Sequence, residues 1–474
     1  MGYWVRDTGR GDRRRGRRRA TRTPSPLSSR YYMSRAVALV ATLVAVAGLL
    51  AQLTNVEIHS LLGINALVGG SRIYYVATLN PLPAGRVVKV WRFGGLKVYK
   101  AVLRAEEVVT VSRSALAVFS PSQPSISVLA APYTVFTGGA NSQDIKQWHR
   151  KTGEWSGRGV VVCVIDTGID YLHPDLRGAV KALVSMFYIS RGGTYLTWIV
   201  GVNGTLEEAW ELERELHATY GVYAWMDDNG HGTHVSGIIA SRGATGYPGL
   251  APGAELVVVR AFDVTGSAPL DRVLEALEWV WNNTDRFRIR ILNLSWGSPG
   301  DNRGLDPVSV VVDYMAERLG LLVVAAAGNS GNVPFTVNIP ACARRALAVG
   351  AFDPSAMKIA EFSSWGPTID LRIKVDFVGA GVNVISCKPV TVESYIERTH
   401  PELVVDKYHM ALSGTSMAAP CVSAVAAAYC EKLSSENVKP TYTALLDALI
   451  ENSVRLNRFG KDFVSGWGAP LIRS

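Results

Sequence analysis

With 474 residues, 48% hydrophobic and 19% charged, the chain can bury a large core and hold more than one domain, which excludes an intrinsically disordered protein. The net charge of +9 invites a nucleic-acid or membrane-surface reading, yet residues 1–35 carry eleven Arg against Asp7 and Asp12, which accounts for all of it. Residues 36–474 are therefore neutral and offer no electrostatic footprint for a phosphate backbone.

In chain order, residues 1–35 are Arg-rich with Gly, Ser and Pro and have no hydrophobic pattern, so a disordered tail is expected. The uncharged stretch 36–53 reads as a signal peptide or membrane anchor: its length sits at the border between the two, and Ala45-Val46-Ala47 offers a small-x-small cleavage site. From 54 to 130 the composition shifts to β-branched, partly alternating runs at 72–79, 86–91, 96–103 and 108–119, predicting a small strand-rich domain. Its end, 121–132, is rich in Ser and Pro and reads as a linker.

Over 131–474, apolar strand-like runs at 159–165, 255–260, 288–294, 321–326 and 346–350 alternate with helical periods. Leu270, Val273, Leu274, Leu277, Val280 and Trp281 share one helical face. Fully apolar strands alternating with helices predict an α/β fold, a doubly wound, mostly parallel sheet flanked by helices, with the small α+β domain ahead of it. The five cysteines (163, 342, 387, 421 and 430) are scattered without a CxxC pair; they read as buried small hydrophobes, while a Cys342–Cys387 bridge stays open.

Four segments carry chemistry. Val161-Val162-Cys163-Val164-Ile165-Asp166 is a buried strand ending in an acid, which either caps a turn or faces a site at the strand's carboxyl end. Asn229-Gly230-His231-Gly232-Thr233-His234 is a Gly-punctuated turn opening a helix, so a neighbour can approach the imidazole of His231 closely. His231 and His234 are three apart with no HExxH pattern, which disfavours zinc. Ala326-Ala327-Gly328-Asn329 ends another strand in a turn residue or an amide donor. Ser413-Gly414-Thr415-Ser416-Met417-Ala418-Ala419-Pro420 puts a serine at a helix start, where it is either an N-cap or a nucleophile beside free N–H groups.

Together, in the order Asp, His, Asn, Ser, these segments resemble the subtilisin-like serine proteases (subtilases). The resemblance covers roughly residues 140–474 and extends to His173-Pro174-Asp175-Leu176, Gly249-Leu250-Ala251-Pro252, Asn293-Leu294-Ser295-Trp296-Gly297 and Gly466-Trp467-Gly468. It implies a serine endopeptidase with Asp166, His231 and Ser416 as triad and Asn329 in the oxyanion hole. It also implies that Ser295, Trp296 and Gly297 pair with the substrate backbone, giving broad specificity over protein or peptide substrates. Ala326, Ala327, Gly328 and Asn338 would line the primary pocket, its polar floor hinting at tolerance for polar residues. Residues 54–130 take the place of the family's propeptide, an intramolecular chaperone and inhibitor, with self-cleavage expected between 121 and 143.

No cofactor is required for this chemistry. The family's structural calcium would involve Asp175, though 242–247 lacks the usual acid-rich loop and Phe136 replaces a common Gln. Gly379-Ala380-Gly381 also departs from the usual Ala-Pro-Gly. The 65-residue separation of Asp166 and His231 implies an insertion over 184–226, with a helix at 206–217, read as surface decoration more readily than as a working part. A second insertion is expected at 390–409. No nucleic-acid partner is expected, and a membrane only through 36–53 if that segment is retained; the chain would then be extracellular or at the cell surface. The rival reading is a subtilisin-like module that binds peptides without cutting them.

Overall fold

The computed structural model describes residues 72–120, 126–128, 144–150, 154–189, 194–458 and 460–473. The expected tail and the signal or anchor segment lie outside them, and no helix among the described residues is long and apolar enough to cross a membrane.

The chain begins with β1 (Arg72–Thr78), β2 (Arg86–Phe93) and β3 (Leu96–Leu103), then α1 (Ala105–Ser112) and β4 (Ala117–Phe119). They form an antiparallel sheet in the order β2-β3-β1-β4. The run 108–119, predicted as a strand, is thus a helix followed by a short strand. Its β-branched composition hid a helical spacing: Val108 and Val111 are the buried pair, and Glu107 reaches back to the Arg104 N–H at the helix start. Inside the stretch expected to be a linker, Ile126–Val128 forms a further strand, β5.

The larger part continues with β6 (Val161–Asp166), β7 (Val180–Ile189), β8 (Tyr195–Ile199), α2 (Leu206–Tyr220) and α3 (His231–Ala240). There follow β9 (Glu255–Arg260), β10 (Ser267–Ala268), α4 (Leu270–Phe287), β11 (Ile289–Leu294), β12 (Trp296–Gly297) and α5 (Pro307–Leu319). The last third holds β13 (Leu322–Ala326), β14 (Ala346–Asp353), β15 (Lys358–Ile359), β16 (Phe377–Ala380), β17 (Val384–Cys387), α6 (Tyr395–Thr399), β18 (His409–Leu412), α7 (Thr415–Ser435) and α8 (Tyr442–Glu451).

A nine-stranded sheet runs β15-β14-β13-β11-β6-β9-β7-β8, with β16 also on β14; only the pairings of β8 and β15 are antiparallel. All six residues of β6 are buried because both faces are covered. Val162 and Val164 belong to the core with α3 and α7, whereas Cys163 and Ile165 belong to the core with α4 and α5. This is the doubly wound arrangement that the apolar runs predict.

The small sheet rests on α4 and α5. Phe93 meets Trp281 edge-on, Lys100 pairs with Asp271 at 2.6 Å, and Lys89 pairs with Glu275. All five cysteines are buried and free. Cys342 lies in the core on the α4 and α5 face and Cys387 in that on the α3 and α7 face, so the bridge left open by the sequence does not form.

Candidate active site

Asp166 ends β6 beside Arg260 at the end of β9. Its Oδ1 accepts from Thr167 N at 2.8 Å and from His231 Nδ1 at 2.8 Å, both residues fully buried. A proton held on Nδ1 leaves Nε2 as the basic nitrogen, and that atom is buried with no hydrogen-bond partner. The turn before α3 is held by Asp227, which the sequence gave no reason to single out. Its carboxylate accepts from Thr167 Oγ1, Asn229 N, Gly230 N, Thr233 N and Thr233 Oγ1 at 2.7–3.1 Å. Gly230 has φ of 108°, and a Cβ on Gly232 would stand 2.2 Å from the Gly168 carbonyl, so the imidazole is carried on a turn that only glycines allow. The neighbouring His234 is structural: burial drives its pKa down to about 3, and Nε2 sits 2.9 Å from the Val384 carbonyl.

Ser416 is the second residue of α7, after Gly414 with φ of 151°. Its Oγ donates to the Ser295 carbonyl at 2.6 Å. The hydrogen bond expected from Ser416 to His231 is therefore not formed in this arrangement, and rotation of the serine side chain must precede proton transfer. Asn329 follows β13, and its Oδ1 accepts from Thr415 N and Thr415 Oγ1, each at 3.0 Å. Fixing the oxygen in this way makes Nδ2 the donor end of the amide, beside the serine.

Ser295 is bound into the same core: Asn293 Nδ2 donates to its Oγ, which in turn donates to the Ser416 carbonyl, each at 2.9 Å. The Trp296 indole N–H is fixed on the Ile165 carbonyl at 2.9 Å. Between Trp296–Gly297 and Ser267–Ala268 lies β5, the chain's own Ile126–Val128, in a three-stranded antiparallel sheet. Trp296 faces Val128 and Gly297 faces Ser127, while Val128 N donates to the Gly266 carbonyl at 2.9 Å. The edge thus accepts an extended backbone as an added strand. Ala326 and Ala327 are buried, and Gly328 comes so close to Asn338 that a Cβ would stand 2.7 Å from its side chain. Asn338 Oδ1 is buried without a partner.

The insertion is more than decoration. Glu213 of α2 is fully buried and accepts from Trp225 N, from Met226 N at 2.7 Å, and from the Tyr171 hydroxyl. It clamps the segment that leads into Asp227 and His231, and burial raises its pKa. The second insertion closes on the same region: Asp170 accepts from Val390 N, Thr391 N and Thr391 Oγ1, and Tyr395 N donates to the Asp228 carbonyl.

Asp175 does not fit the calcium role. Its oxygens are taken by Thr245 N at 2.9 Å, Thr245 Oγ1 at 2.6 Å and Ser241 Oγ at 3.3 Å, with His409 Nε2 at 3.7 Å. Burial alone would raise its pKa, but the bonds from His409 and Thr245 outweigh burial and hold it at about 2. The other groups close enough to share an ion are the His173 ring and the Cys387 thiol, nitrogen and sulfur where calcium requires oxygen.

A profile of the subtilase family matches residues 157–468, so the chain belongs to that family. It is 34% identical over 287 residues to serine protease AprX of Bacillus subtilis (strain 168), a match covering 57% of each chain. To subtilisin Savinase of Lederbergia lenta it is 34% identical over 273 residues, 57% of this chain and 76% of that one. The chain therefore spans little more than half the length of AprX. Among solved structures, Sphericase aligns with a TM-score of 0.54 and 25% identity, over 70% of this chain and 99% of its own.

Proposed function

We propose that the chain is a serine endopeptidase, made as a precursor that cuts itself, in which Ser416, His231 and Asp166 act as one unit. The observation that carries this reading is the seating of Ile126–Val128 as a strand against Trp296–Gly297. Ser127 faces Gly297 and Val128 faces Trp296, so one further step of the register sets Leu129 against Ser295, whose carbonyl binds the Ser416 hydroxyl. The bond cut in maturation is Leu129–Ala130, within the expected interval 121–143.

In the reaction, Ser416 Oγ leaves the Ser295 carbonyl, passes its proton to His231 Nε2 and attacks the scissile carbonyl. Asp166 holds the imidazole in the required tautomer and stabilises the imidazolium. The developing oxyanion is met by Asn329 Nδ2 and the Ser416 N–H at the start of α7, where the helix dipole adds to the field. His231 then protonates the leaving amine, and water repeats the sequence on the acyl-enzyme.

Recognition through backbone pairing at Ser295–Gly297 gives broad sequence tolerance. The unpartnered Asn338 Oδ1 beside Gly328 supports acceptance of polar side chains in the primary pocket. The Asp175 site is closed by protein donors, and structural calcium is not needed there. Secretion is the compartment that suits such a precursor, with residues 36–53 as its signal or anchor. Labelling with a fluorophosphonate probe tests the assignment: Ser416 is labelled in the mature wild type, and labelling is lost in His231→Ala. A protein that binds peptides yet resists the probe would establish the non-cutting alternative.

A further inference from the structure

Next to the cleft, the side chain of Ile126 enters a pocket lined by Leu270, Ser298, Pro307, Val308, Ile339 and Asp306, with Phe119 closing it from the small sheet. Everything about this wall is apolar except one group. Asp306 caps α5: its Oδ1 accepts from Ser309 N at 2.9 Å, as a helix start requires. Its Oδ2 is buried and has no hydrogen-bond partner. About 30 Å³ of space remains in the pocket, enough for the tip of a longer side chain.

An N-cap needs only one carboxylate oxygen, and Ser, Thr or Asn would supply it without leaving a second oxygen desolvated. Ile126 fills the apolar part and satisfies nothing. On the reading that the segment ending at Leu129 occupies the cleft as substrate does, we infer that Asp306 is a specificity-determining residue. The pocket that holds Ile126 selects a side chain with an aliphatic stem and a hydrogen-bond donor at its end, lysine above all. Such a side chain would place its methylenes along Leu270, Val308 and Ile339 and its ammonium on Oδ2. The chain's own segment lacks that donor, so it holds the cleft less tightly than a lysine-bearing substrate does, which favours its departure after the cut.

Burial lifts the Asp306 carboxyl to about 6, against the opposing bonds from Ser309. The groups packed around it are the Ser309 hydroxyl and the Cys342 thiol, which burial pushes up to about 12 and keeps neutral; Arg372 binds the Cys342 carbonyl at 2.8 Å. Preference for lysine therefore belongs to the ionised form, present above about pH 6 and fading below it.

The test uses the mature enzyme and four p-nitroanilides, X-Ser-Val-Leu, with X as Ile, Lys, norleucine or Glu. Norleucine has the aliphatic stem of lysine without the donor. Wild type should cut the Lys peptide with kcat/KM about tenfold or more above norleucine at pH 8, since a site built around a buried polar group discriminates against the analogue lacking its partner. The ratio should approach one at pH 5. In Asp306→Asn, which keeps the cap, the ratio should collapse while the Ile peptide is cut within about twofold of wild type. Equal rates for Lys and norleucine in wild type, or a Lys preference that survives Asp306→Asn, overturn the proposal. Cleavage of casein with none of the four peptides cut would instead overturn the register reading, and the proposal with it.

Discussion

At the scale of single residues, the assignment stands on where hydrogen-bond donors and acceptors are fixed. Asn329 Oδ1 is held by Thr415 twice, so its amide cannot turn and its nitrogen is presented without reorganisation. We expect Asn329→Ala to lower kcat by roughly two to three orders of magnitude with little change in KM, the loss typical of one oxyanion donor; steady-state kinetics on a peptide substrate measures it. Asp175 gives a second expectation, about stability. Its carboxyl, at about 2 in the fold, lies below the ordinary value of 3.8, so it stabilises the fold above pH 4 and loses that contribution as the pH falls toward 2. The shift is worth about 2 kcal/mol. Asp175→Asn should lower Tm at neutral pH, with the gap to wild type closing in acid, and a chelator should leave the wild-type Tm unchanged. A drop in Tm on adding chelator would restore calcium to that site. The catalytic residues were legible because each ends a short local pattern, an apolar strand or a glycine turn. Asp227 and Asp306 were not, because what sets them apart is partners drawn from elsewhere in the fold.

At the scale of elements, the insertion before His231 is tied to the site by one buried carboxylate. Glu213→Ala would strand the N–H groups of Trp225 and Met226 and the Tyr171 hydroxyl. We expect a loss of roughly 3 kcal/mol, read as a lower Tm, together with a fall in kcat/KM as the Asp227 turn loosens. An unchanged Tm would return α2 to the status of a surface appendage. The helix itself was visible in its period and its Thr205 cap, predicted over 206–217 and found over Leu206–Tyr220. Its burial was not visible, since one acidic residue among several on an amphipathic helix carries no mark of facing inward. The failure at 108–119 has the opposite cause: β-branched residues there favour a strand locally, and packing against the small sheet decides for a helix. β5 escaped notice because three residues within a Ser- and Pro-rich stretch have no period, and only their two partner edges make them a strand.

At the scale of the whole molecule, the small sheet, the helices α4 and α5, and the strand β5 form one continuous path. The sheet is held on α4 through Lys100–Asp271 and Phe93–Trp281, and the chain then runs on to the edge at Trp296–Gly297. A sequence can announce the two domains by their composition, but not that the segment between them lies where substrate is cut. The most direct measurement is the intact mass and N-terminal sequence of the full chain, purified as wild type and as Ser416→Ala. The wild type should appear as a mature form beginning at Ala130 and Ser416→Ala as the uncut precursor. Appearance of that same N-terminus in purified Ser416→Ala, with no other protease present, would contradict the assignment of Ser416 as the nucleophile.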